Sequence, residues 1–248
     1  MRARATARLL IVAIAAALAV GSAAQPRLVP PEEPNGAIPA AYQRDVRQVF
    51  AEAHGADVVL RAIVLPGLGV AILDRRGARD GGGVRVIETE AAHIGFCPLD
   101  PEEEELSDAL TARYGRASVE RVVSGPGLID IYRFLGGGDW DPNKAGALWD
   151  AAVDGGDPLA ERALSILVRC LGAAAGDIAL AHGAMGVAIT GALAGRIADL
   201  LKTPMFEARF TAKGRYRARM LRTPVKLLAY AEPGLLGAAI AFEREWGA

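Results

Sequence analysis

The 248-residue sequence holds two cysteines, Cys97 and Cys170, 6% aromatic residues and a formal net charge of −1. Each scarcity excludes something. The two thiols lie far apart and outside any CxxC pair, so two buried structural thiols are expected rather than a zinc site or a redox centre. A near-zero charge supplies no electrostatic footprint for nucleic acid, and so few aromatics supply no stacking platform for single strands. No nucleic-acid partner is expected. Internal repeats and coiled-coil heptads are absent as well. What the chain has is apolar residues, 52% of the total and spread throughout, which suits a packed core in one large domain or two small ones.

The longest apolar run comes first. Arg2, Arg4 and Arg8 precede an unbroken stretch from Leu9 to Val20, and Gly21, Ser22, Ala23 and Ala24 follow it. This is the layout of a secretory signal, too short for a membrane span. Ala-rich sequence produces the same layout by chance, so residues 1–24 are either a signal or an artefact of the gene start. Residues 25–39 carry Pro26, Pro30, Pro31, Pro34 and Pro39 and read as an unstructured linker.

Residues 40–248 read as one mixed α/β domain. A helix is expected over 40–53 and strands over 57–65, 69–74 and 84–88, with turns at 66–69 and 80–83. Helices dominate from Asp100: Asp100 suits an N-cap, Pro101 the first helical position, and Glu103 a capping box. The acidic run from Glu102 to Glu105 then lies in the first turn, where the helix dipole favours negative charge. Asp157 and Pro158 repeat the start signal, and Leu159, Ala163, Ile166, Leu167, Cys170 and Leu171 follow at helical spacing as a core stripe. A strand is expected over 185–190, ending at Gly191, then a helix over 193–201, a strand over 224–229 and a last helix over 235–246.

Four collinear segments carry a resemblance. Residues 118–133 read SVERVVSGPGLIDIYR, residues 88–96 ETEAAHIGF, residues 206–216 FEARFTAKGRY and residues 233–239 PGLLGAA. They resemble the SxERVLSGPGLxxxYR, PGEGGHxxF, FxxxFxxKGRF and PGLLGAA segments of the bacterial glucokinase family, from about Ala37 to the C-terminus. The resemblance implies an α/β fold of the actin-like ATPase (hexokinase-type) class: its large domain, with most of the small N-terminal domain missing and a C-terminal helix crossing back.

It also implies glucose and Mg-ATP as substrates, glucose 6-phosphate as product, and a cytoplasmic location, with export as the alternative if residues 1–24 act as a signal. By resemblance Glu90, His93 and Glu120 bind glucose hydroxyls, a task that suits carboxylates and a neutral imidazole. Gly67, Gly69 and Gly191 fall on the nucleotide side. Two departures bear on catalysis. Pro66 stands where the family has a phosphate-contacting Thr and offers neither hydroxyl nor N–H. The DxGGTNxR phosphate loop and the Asn-Asp pair ahead of residues 37–39, whose Asp is the family's general base, have no counterpart in the sequence. Phosphoryl transfer without base and loop is expected to be impaired, with non-catalytic sugar binding as the alternative. With the small domain missing, Leu235, Leu236, Ile240 and Phe242 on the last helix are expected to be exposed, a surface for homo-oligomer formation.

Overall fold

The computed structural model describes residues 60–66, 70–75, 84–141 and 145–228. The linker, the helix over 40–53, Gly67, Gly69, the turn at 80–83 and the last helix lie outside these residues. The chain divides into two compact units, one with residues 1–89, 182–191 and 223–248, the other with 90–181 and 192–222.

The described part of the first unit is a five-stranded sheet. Its strands are β1 (Leu60–Pro66), β2 (Val70–Arg75), β3 (Val84–Thr89), β4 (Gly186–Thr190) and β5 (Val225–Leu228), in the order β3-β2-β1-β4-β5. β1, β2 and β3 form an antiparallel meander, whereas β4 and β5 run parallel to β1. Tight turns suffice for the meander, but a parallel neighbour needs a long crossover. The chain accordingly passes through all of residues 90–181 before β4 forms. β4 is buried along its whole length, which is why it reads as an unbroken apolar run rather than an alternating one.

The second unit is helical. It contains α1 (Pro101–Tyr114), α2 (Val119–Val122), α3 (Gly125–Tyr132), a single π-turn over Arg133–Gly137, α4 (Ala145–Asp154), α5 (Pro158–Ala181), α6 (Ala192–Arg196), α7 (Pro204–Thr211) and α8 (Arg217–Met220). α1 starts where its cap predicts: the Glu103 N–H donates to Asp100 Oδ1 at 3.0 Å. The box closes differently from expectation, because Glu103 Oε2 accepts from Leu99 N–H at 2.8 Å and not from Asp100.

The acidic run does more than complement a dipole. Glu102 pairs with Arg162 at 2.5 Å and Arg169 at 3.0 Å, while Glu103, only 1% exposed, pairs with Arg209 at 2.8 Å. Asp100 bonds Arg209 too. Carboxylates of α1 are thus tied to α5 and α7, and the buried one is tolerated because it is paired. Burial pushes the Asp100 carboxyl up, but the Glu103 N–H and the Arg209 and Arg169 guanidinium groups outweigh that and hold it below the ordinary Asp value.

α5 is the core of this unit. Ala163, Ile166, Leu167, Cys170 and Leu171 are buried as expected, Leu159 only partly, and burial extends around the helix through Leu164, Val168 and Ala175. Its partner is α7. A Cβ on Gly172 would lie 2.5 Å from the Phe206 carbonyl oxygen, and one on Gly176 2.5 Å from that of Phe210. Two glycines one turn apart therefore let the α7 backbone settle directly on α5, with Phe206 and Phe210 buried beside them. A side chain at either position would hold the helices apart.

Two expectations need correcting. The helix over 193–201 is instead α6, a turn, and a 3-10 turn over Leu200–Lys202. Thr203, extended at φ −77° and ψ 155°, precedes Pro204; a residue before proline is driven out of the helical region, and the preceding turns tighten towards it. Of the two thiols only Cys170 is buried; Cys97 is exposed. Burial, followed by the neighbouring Glu103 charge, raises the Cys170 thiol far above its usual value.

Candidate functional site

Three predicted site residues meet in the second unit. Ala91–His93 forms a 3-10 turn in which the His93 N–H donates to Glu90 O at 2.9 Å, and Ile94 then leaves in an extended conformation. The next residues pair with a segment more than twenty positions away. Phe96 N–H donates to Ala117 O at 3.1 Å, Val119 N–H donates to Ile94 O at 3.0 Å, and Gly95 faces Ser118 in an antiparallel bridge. Glu120, two residues past this bridge, is thereby carried to His93: Glu120 Oε2 lies 2.8 Å from His93 Nδ1, and Glu90 Oε2 lies 3.6 Å from Nε2.

The 2.8 Å contact suits an Nδ1–H donated to Glu120 Oε2; with that bond made, a neutral ring presents Nε2 as an acceptor. The 3.6 Å separation to Glu90 is too long for a hydrogen bond. Nε2 and the Glu90 carboxylate are thus both available to an incoming donor. His93 is 55% exposed and Glu90 68%. A surface pair of this kind adds roughly 0–1 kcal/mol to stability, so the cluster is a weak structural tie whose polar atoms stay open to solvent.

The residues that follow Glu120 form its support. Ser124 caps α3, its Oγ accepting from Gly127 N–H at 3.0 Å. A Cβ on Gly127 would lie 2.4 Å from Val122 O, so only glycine lets the first turn of α3 sit against α2. Tyr132 O–H donates to Asp157 Oδ2 at 2.8 Å, and Asp157 Oδ1 caps α5 through the Leu159 and Ala160 N–H groups. The Tyr132 bond, then the Leu159 N–H, hold the Asp157 carboxyl below its ordinary value, and the same bond pushes the Tyr132 phenol up. The SGPG and YR parts of the segment over 118–133 are therefore scaffold, and only Glu120 reaches the cluster.

Gly191 belongs to the other unit. It follows β4 with φ 102°, a conformation that glycine adopts without strain. At the same end of the sheet, Pro66 closes β1 in register with Thr190 of β4. Among the described residues no group of three or more His, Cys, Asp and Glu could hold a metal ion.

Comparison with known proteins agrees with this architecture. The antiparallel meander continued by parallel strands, with helices inserted before β4, is that of the actin-like ATPase fold of the hexokinase type. A glucokinase crystal structure from an Antarctic psychrotroph matches with a TM-score of 0.64 and 28% identity, over 77% of this chain and 61% of that one. A Balamuthia mandrillaris glucokinase, 20% identical, shares the fold at a TM-score of 0.61, over 77% of this chain and 55% of that one. The glucokinase family model matches residues 35–245, and the chain belongs to the glucokinase family. Curated glucokinases of Zymomonas mobilis and Caulobacter sp. are 45% and 37% identical over 73% and 83% of this chain. The chain spans 55% and 62% of their respective lengths.

Proposed function

We propose that the chain binds glucose through Glu90, His93 and Glu120 as the sugar-recognising part of an ATP-dependent glucokinase, with phosphoryl transfer impaired in the chain as it stands. The observation that carries the reading is the cluster itself: two carboxylates and an imidazole nitrogen, solvent-accessible and closely grouped. A hexose presents several adjacent hydroxyls, each donor and acceptor, and a site that pairs them gains selectivity from the cost of leaving one unpaired. Membership of the glucokinase family supplies the substrate.

Mg-ATP is the cosubstrate in this reading, and residues 40–248 are the large domain. Its phosphates would require backbone donors and close approach; Gly191 suits the approach, whereas Pro66 contributes no N–H. ATP use also places the chain in the cytoplasm. A second reading, sugar binding without turnover, is favoured by Pro66, which has neither hydroxyl nor N–H to offer a phosphate. Calorimetry with glucose tests the shared part: a saturable heat that galactose does not reproduce is expected, and no heat removes both readings. A coupled assay for glucose 6-phosphate separates them, since measurable turnover supports the first and background-level turnover the second.

A further inference from the structure

Glu120 sits on a helix too short to hold itself. α2 is a single turn of four residues, and fixing one turn costs more conformational entropy than its bonds return. Its placement must come from outside. On one side Val119 and Val122 are buried. On the other, the side chain next to Glu120, Arg121, lays its guanidinium over the Tyr114 ring at 3.8 Å from the centroid. Tyr114 is the last residue of α1, and its O–H donates to Asp130 of α3 at 2.8 and 3.1 Å. Asp130, 7% exposed, is held in turn by Arg133 at 2.7 Å. These bonds anchor the ring, and the cation above it is held by cation–π attraction.

We infer that Arg121, stacked on a Tyr114 ring anchored by Asp130, is a positioning residue that sets Glu120 opposite His93. The inference rests on the sugar-binding reading for its consequence but not for its geometry. Arg121 does not touch the cluster; it fixes the rotation of the one-turn helix about its own axis. Losing the stack lets α2 rotate and lengthens the 2.8 Å contact between Glu120 and His93.

The full-length chain tests this by two readouts, glucose affinity by calorimetry and the His93 imidazole cross-peaks by NMR without sugar, assigned by loss in His93→Asn. Arg121→Ala is expected to weaken glucose binding about five- to tenfold and to move the His93 signals, with Arg121→Lys recovering most of both because an ammonium also stacks on the ring. Tyr114→Phe, which keeps the ring but loses the Asp130 bond, is expected to give a smaller change of the same sign. In a Glu120→Gln background, Arg121→Ala is expected to add nothing further. A merely structural Arg121 would instead lower Tm and act additively with Glu120→Gln. If the wild type binds no glucose yet Arg121→Ala shifts the His93 signals, positioning stands and the sugar reading falls. Unchanged His93 signals in both Arg121→Ala and Tyr114→Phe overturn the inference.

Discussion

At the residue scale the decisive contact is the 2.8 Å approach of His93 Nδ1 to Glu120. Glu120→Gln keeps the shape and removes the charge, so a sugar hydroxyl loses a charge-assisted acceptor and His93 Nδ1–H is left with a weaker, neutral one. Hydrogen bonds to charged groups contribute about 1.5–3 kcal/mol, so glucose affinity is expected to fall roughly 10- to 100-fold by calorimetry, with Tm nearly unchanged. The thiols give a second check. Cys97 is exposed and Cys170 buried, so one equivalent of a thiol reagent is expected to react in the native protein and two after denaturation. The resemblance to the family was sufficient to nominate Glu90, His93 and Glu120, but the pairing itself was not legible. It depends on a bridge between Gly95 and Ser118, a tertiary contact that no local pattern announces. The exposure of Cys97 was missed for the same reason.

At the scale of elements, starts were legible and partners were not. Asp100 with Pro101 and Asp157 with Pro158 mark α1 and α5 correctly because capping is local chemistry. The burial of Glu103 was hidden, since Arg209 lies 106 residues away. The seam between α5 and α7 was hidden as well: Gly172 and Gly176 resemble ordinary weak helix positions until Phe206 and Phe210 are placed against them. An exposed helical glycine replaced by alanine gains about 1 kcal/mol. At Gly172 the new Cβ would meet a backbone carbonyl at 2.5 Å, and overpacking of that kind costs roughly 1–3 kcal/mol. Gly172→Ala is therefore expected to lower Tm, where propensity alone would raise it. Acid should act on the same elements. The Asp100 and Asp157 carboxyls are held below their ordinary values in the folded chain. Their contribution is complete above the unfolded value near 4 and is lost as pH falls through the folded values. Tm is expected to hold from pH 7 to about 5 and to drop below about 4, with a shallower drop in Asp157→Asn.

At the scale of the whole molecule, the sheet order and the helical unit give the fold and the match over residues 35–245 gives the glucokinase family, while the chain spans 55% of the Zymomonas mobilis protein's length. The expected fold class was legible because four segments kept their order, and the strand sequence agrees with it. Glu90, His93 and Glu120 share one compact unit, so the proposed sugar binding can be tested separately from phosphoryl transfer. The central claim is that this cluster is a glucose site, and titration calorimetry of the purified full-length chain tests it most directly. Saturable glucose binding, weakened by Glu120→Gln and by His93→Ala, is the predicted result; a flat titration with wild-type protein that melts cooperatively would contradict it.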